Sequence, residues 1–149
     1  MILIREAKPK DISAVLRLIR ELADFEREPK AVVNTESELH QHIFKDKICN
    51  AIVADDNNEI IGFAIYYNSY STWKGKCLYL EDLYVQEARR KHGVGALLFE
   101  KIISIAEYQK VRRLEWLVLD WNQPAIQFYK KYGANLDNSW LNGKIEFNN

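Results

Sequence analysis

Apolar and polar positions along this chain follow two rhythms, and each change of rhythm predicts an element. Ile2-Leu3-Ile4 reads as a short strand. Behind Pro9 and Asp11, which suit a first helical turn, Ile12, Val15, Leu16, Ile19, Leu22 and Ala23 recur at helical spacing and predict a helix to about Phe25. Thr35-Glu36-Ser37-Glu38 is a capping box, opening a short helix through Leu39, Ile43 and Phe44. Residues 50–54 and 59–67 read as strands joined by the turn Asp55-Asp56-Asn57-Asn58, a hairpin. Gly62 inside the second strand predicts a bulge or a close backbone approach. Residues 69–75 read as a loop carrying Trp73.

The next strand, 76–85, contains Leu-Tyr-Leu-Glu-Asp-Leu-Tyr-Val, an apolar run broken by Glu81 and Asp82. Strict alternation sends adjacent residues to opposite faces, so at most one of these carboxylates faces a given site. The basic stretch Arg89-Arg90-Lys91-His92-Gly93-Val94-Gly95 follows, then a helix with Leu97, Leu98, Ile102, Ile105 and Ala106 on one stripe. A strand is predicted over 114–119. Asn122 and Pro124 then suit the cap and first turn of a helix over 125–132, stopped by Gly133. The polar tail holds one further candidate strand, 140–147. This order of elements predicts a single α/β domain spanning 1–149, a mixed sheet with helices on its faces.

Composition narrows the class. A chain of 149 residues can bury about 70% of its unfolded surface and needs no disulfide or metal to fold. Lys plus Arg equal Asp plus Glu at 21 each, which argues against bulk binding to nucleic acid. No apolar run reaches transmembrane length and the start lacks a signal peptide's apolar core, so a cytoplasmic protein without membrane association is expected. Cys49 and Cys77 stand far apart and read as reduced thiols. His40 and His42 are two residues apart and point to different helix faces, so no metal site is expected. Asp24-Phe25-Glu26-Arg27-Glu28, at the end of the first helix, reads either as a solvated helix end or as a negative wall beside a cationic ligand.

The pattern Arg90-x-x-Gly93-x-Gly95 lies between a strand and a helix. Glycines let successive N–H groups converge, and a helix N-terminus adds unpaired donors and a positive dipole end. The arrangement reads as a phosphate-binding turn or as a glycine-relaxed surface turn. It lacks the third glycine of a dinucleotide fingerprint and the GK[ST] of a Walker loop.

This block, with the apolar strand before it, resembles the central motif of the GNAT superfamily of N-acetyltransferases. The Leu-Tyr-Leu-Glu-Asp-Leu-Tyr-Val strand, the preceding Trp73-Lys74-Gly75-Lys76, the opening Leu-Ile-Arg-Glu-Leu-Ala-Asp-Phe-Glu and the run from Asp120 through Asn122, Gln123, Pro124, Ala125 and Tyr129 to Lys130 are similar to the diamine (spermidine/spermine) acetyltransferase branch. The resemblance implies a mostly antiparallel sheet with splayed central strands, and acetyl-CoA as co-substrate. It places the pantetheine arm along Leu83, Tyr84 and Val85. It places the pyrophosphate on Arg90, Lys91, His92, Gly93, Val94, Gly95 and Ala96, with further contacts from Glu115, Trp116 and Leu117 and from Asn122, Gln123, Pro124 and Ala125.

On the acceptor side the resemblance implies Phe25, Glu26, Ser71, Glu81 and Asp82. Glu81 would be the substrate carboxylate, acting through water as base. Asp82 reads rather as a structural hydrogen-bond or ion-pair partner. Tyr129 matches the catalytic tyrosine that protonates the CoA thiolate; from the residues alone it could equally pack beside Phe128 and Tyr132. A homodimer is implied as well. The branch carries an acidic residue just before the loop tryptophan, where this chain has Ser71-Thr72, and acidic residues before the tail tryptophan, where it has Asp137-Asn138-Ser139. The acceptor is therefore open among a polyamine, a shorter diamine, a lysine analogue such as thialysine and another small primary amine. The other functional classes compatible with the sequence are a non-catalytic acyl-CoA sensor and a protein N-acetyltransferase.

Overall fold

The structure is a computed structural model describing residues 1–149. Five strands lie in chain order: β1 (Ile2–Glu6), β2 (Asn50–Asp56), β3 (Glu59–Ser71), β4 (Gly75–Val85) and β5 (Leu114–Glu115). All neighbours pair antiparallel except β4 and β5, which are parallel. The helices are α1 (Ile12–Phe25), α2 (Glu36–His40), α3 (Val94–Tyr108) and α4 (Gln123–Lys130). The chain divides into two compact units, Met1–Leu117 and Val118–Asn149.

In the first unit the two faces of the sheet are covered by different helices. Val15, Leu16 and Leu18 of α1 pack with Leu39 and Ile43, and with Val53, Phe63, Ile65 and Tyr84 of the sheet. A single 3₁₀ turn, Pro9–Asp11, precedes α1. Its Asp11 is buried and receives the Arg5 guanidinium at 2.7 and 3.1 Å, tying the helix entry to β1. The capping box forms at its donor side, with Thr35 Oγ1 accepting from Glu38 N at 3.1 Å. Beyond α2 the helix widens to a π turn over Gln41–Lys45, which still buries Ile43. On the other face Leu98 of α3 approaches Gly62, and Gly95 approaches Val85.

Gly62 supplies both features predicted for it. Ala54 pairs with Gly62 and Asp55 with Ile60, so Ile61 is an extra residue beside it. A Cβ at Gly62 would stand 2.9 Å from the Tyr84 carbonyl oxygen and 3.3 Å from Leu98 Cδ1.

Three boundaries differ from the sequence-based expectation. β3 runs on to Ser71, because Ser71 Oγ accepts from the backbone N–H of Trp73 and Lys74 and closes a tight turn. The segment expected as a loop is therefore mostly hairpin, its polar residues riding on cross-strand pairs Tyr70–Lys76 and Ser71–Gly75. β5 covers two residues rather than six. It pairs with β4 only at Leu78 and Tyr79, after which Trp116 packs edge-on against Phe99 at 5.3 Å. The tail forms no strand: residues 134–149 pair with no sheet edge, and Trp140, Leu141, Ile145 and Phe147 are exposed. A strand needs a neighbour to satisfy its backbone, and alternation alone does not provide one.

Gly62→Ala is expected to destabilise by about 2 kcal/mol, since its Cβ meets backbone and a packed leucine rather than a flexible side-chain end. Calorimetry should show Tm lowered by roughly 6 °C; an unchanged Tm would mean that β4 shifts without cost.

Candidate active site

β4 carries a second bulge, and it lies at the carboxylates. Tyr66 pairs with Leu80 and Ile65 with Asp82, leaving Glu81 as an extra residue. The extra residue shifts the alternation by one. Tyr79, Glu81 and Asp82 consequently share the α1 face. Tyr84 follows on that face, inside the α1 core, with its hydroxyl donating to Glu21 Oε1 at 3.2 Å. The expectation that Glu81 and Asp82 point to opposite faces is corrected by this geometry. It assumed an unbroken strand.

Glu81 is exposed and accepts a hydrogen bond from the Tyr67 hydroxyl on β3 at 3.3 Å. The Tyr67 and Tyr79 rings stack at 5.3 Å. Asp82 is half-buried, and burial followed by the charges of Glu81 and Glu26 pushes its carboxyl up to about 7. The charged groups acting on it are the two carboxylates Glu81 and Glu26. Glu26, just past the end of α1, is likewise raised, by burial first and by Glu81 second. Three carboxyl groups from two elements therefore make one negative site. A cationic amine would offset that charge.

Ser71, also expected on the acceptor side, sits at the hairpin tip with its Oγ engaged by the turn. Phe25 lies beneath the Arg90 guanidinium at 5.1 Å. Sequence reasoning missed Tyr67 and Tyr79. Their period-two spacing with Glu81, together with the hairpin register, is the signal that would have found them.

β4 continues past its last pair with β5, so Leu83, Tyr84 and Val85 have no strand partner on that side. The splayed central strands that the resemblance implies are here an unpaired end of β4, because β5 stops at Glu115. The turn that follows puts Lys91 (φ 69°) and Gly93 (φ 78°) in the left-handed region. Gly93 precedes α3 without a side-chain cap, and the first intrahelical bond runs from Leu97 N to Gly93 O. The backbone N–H groups of Val94, Gly95 and Ala96 are thus free donors at the positive end of the helix, a fit for a pyrophosphate.

The basic residues divide their work. Arg89 pairs with Asp56 and with Glu59, anchoring the turn to the β2–β3 hairpin. Arg90 Nε donates to the Val85 carbonyl at 2.9 Å, and its guanidinium lies over both Phe25 and Tyr84. Lys91 and His92 are exposed. Glu115 pairs with Arg113 at 3.3 Å, Trp116 lies against Phe99 and Leu117 is exposed.

The remaining expected residues belong to the second unit. Asn122 caps α4, its Oδ1 accepting from Ala125 N at 3.3 Å, and Gln123 and Pro124 form the first turn. Tyr129 is buried on α4, its ring edge-on to Phe128 at 5.2 Å.

An unpaired end of β4, an uncapped glycine turn in front of a helix and a carboxylate-rich face fit an acyl-CoA-dependent N-acetyltransferase. The chain matches the acetyltransferase (GNAT) family over residues 15–134 and belongs to it. A thialysine N-epsilon-acetyltransferase of Bos taurus is 37% identical over 142 residues, covering 89% of this chain and 84% of that protein. The spermidine/spermine N(1)-acetyltransferase-like protein 1 of Homo sapiens is 36% identical over 139 residues, covering 88% of this chain and 20% of that longer protein. A ribosomal-protein-alanine N-acetyltransferase of Brucella melitensis has the same fold, with a TM-score of 0.74 at 18% identity, covering 99% of this chain and all of that one. The family uses acetyl-CoA as co-substrate, and the protein is an N-acetyltransferase of this kind.

The Asp82 carboxyl, near 7 in the fold against 3.8 for the ordinary value, sets a pH-dependent stability. Below about pH 4 it is neutral folded or unfolded. Between about pH 4 and 7 the unfolded chain ionises first, so stability falls as pH rises, and the loss is complete above the folded value. Asp82→Asn should therefore raise Tm by roughly 5 °C at pH 8, a gain that vanishes near pH 4. Thermal melts at the two pH values check this; a gain equal at both would remove Asp82's titration as its cause.

Proposed function

We propose that this protein transfers the acetyl group of acetyl-CoA to the primary amine of a small cationic molecule of the thialysine or short-diamine type. The observation that carries the reading is the bulge-set pair Glu81 and Asp82, joined by Glu26 on one face of β4, with the uncapped basic turn at the strand's end. The clustering favours a compact amine. A long polycation gains from carboxylates spaced along its length, and here the outer position is Ser71, its hydroxyl held in a turn. The thialysine N-epsilon-acetyltransferase relatives support the same choice.

Acetyl-CoA supplies the activated thioester. The backbone of Leu83 and Val85 holds its arm as an added strand would be held. The N–H groups of Val94, Gly95 and Ala96, with Lys91, His92 and Arg90, take its pyrophosphate. Asn122 to Ala125 and Glu115 to Leu117 add contacts. An alkylamine is mostly ammonium at neutral pH, with a pKa near 10, and must lose a proton before it can attack. Glu81 accepts that proton through water, while Glu26 and Asp82 hold the amine's charge on arrival. Phe25 lines the same side. Tyr129 on α4 gives its proton to the departing sulfur. Two copies of the chain form the working unit, a reading supported by the exposed Trp140, Leu141, Ile145 and Phe147 of the tail; light scattering at twice the 17.5 kDa chain mass is the expected result.

Thiol release by the purified protein should be fastest with thialysine, lysine or a short diamine and at least tenfold slower in kcat/KM with spermine. Cofactor binding without turnover on any amine would replace this reading with that of a sensor. Tyr129→Phe should lower kcat by about 10²-fold or more with the KM for acetyl-CoA retained, and wild-type turnover would remove the tyrosine's acid role.

A further inference from the structure

We propose that Tyr67 is a positioning residue of the acceptor site, holding one oxygen of Glu81 so that the other is aimed at the amine. The inference rests on the reading of Glu81 as the proton acceptor. Nothing in the motif that identifies the family points to Tyr67, which lies on β3, outside the motif strand.

The geometry is specific. Tyr67 pairs with Tyr79, two residues before Glu81, and so reaches it as a diagonal cross-strand neighbour on the same face. Its hydroxyl donates to Glu81 Oε1 at 3.3 Å. Stacking of the two rings at 5.3 Å, with planes 28° apart, fixes the direction of the hydroxyl. Glu81 needs such a hold because it is the extra residue of the bulge, with no residue opposite it on β3, and its side chain is exposed. An unheld glutamate there would sample several rotamers, and each would place the carboxylate differently.

The groups facing Glu81 are Tyr67 on β3, Tyr79 and Asp82 on β4 and Glu26 at the end of α1, with Glu115 of β5 acting on the two tyrosines. Of these Tyr67 donates a hydrogen bond to it. Burial first, and then the Glu81 charge, pushes the Tyr67 hydroxyl up to about 12, so it stays a donor over the whole working range. The arrangement leaves Oε2 of Glu81 for the water or ammonium proton, and gives the tyrosine no proton-transfer role of its own.

A double-mutant cycle tests this. Tyr67→Phe keeps the stacked ring and removes only the hydroxyl. In the wild-type background kcat should fall about tenfold, with the KM for acetyl-CoA and the Tm unchanged. In the Glu81→Gln background, measured at high enzyme concentration, the same substitution should change kcat less than twofold. A residue that merely packs would give equal effects in both backgrounds, and that result overturns the proposal, as does wild-type kcat for Tyr67→Phe. Should Glu81→Gln itself turn over at the wild-type rate, the reading of Glu81 as proton acceptor fails and this inference falls with it. Loss in Glu81→Gln with no effect of Tyr67→Phe removes the tyrosine alone.

Discussion

One inserted residue in β4 is the constraint on which the rest of the site depends. The bulge at Glu81 changes the face of every residue after it. Without it Asp82 would join the α3 face, Tyr84 would leave the α1 core, and Leu83 would enter that core in its place. With it, two adjacent carboxylates project together, and the hydroxyl of Tyr84 meets Glu21 on α1. The apolar strand around the acids is therefore what holds them there: Leu80 and Tyr84, buried on opposite faces, lock the register on either side of the extra residue.

The same geometry carries an energetic cost. Asp82 is half-buried beside two like charges. A fold selected for stability alone would place an asparagine or an apolar residue there. In the proposed function an arriving ammonium group would relieve this arrangement. At the other end of β4 the logic is inverted. The N-terminus of α3 is left without a side-chain cap, so its donors are free for an anion, while Arg89 is neutralised by Asp56 and Glu59 and serves as an anchor. Arg90 connects the two ends: it caps the Val85 carbonyl and lies against Phe25, the neighbour of Glu26.

Much of this was legible before any coordinates. The helical stripe from Ile12 to Ala23, the box at Thr35 and the cap at Asn122 are local signals, and each formed where its chemistry put it. Gly62 announced a bulge or a close approach, and both are present. The misread segments share one cause. Asn68-Ser69-Tyr70-Ser71 is polar enough to read as loop, yet it is strand because β4 pairs with it across a tight turn. Residues 116–119 and 140–147 are apolar enough to read as strand, yet they have no partner edge. Strand formation is decided by the neighbour, and the neighbour lies elsewhere in the chain.

The sequence by itself determined the family, the order of elements as far as α4 and the glycine turn before α3, because those depend on residue types at short, fixed spacings. It also supplied the two carboxylates at 81 and 82. Only the tertiary structure decided that they act on one face, that Glu26 joins them and that Tyr67 reaches Glu81. A bulge is a mismatch in count between two strands, and no glycine marks the one at Glu81 as Gly62 marks the other. Period-two reasoning placed Asp82 on the wrong face for that reason. The pairing of β3 with β4, fixed by the buried side chains on both faces, is what converts two neighbouring acids into one site.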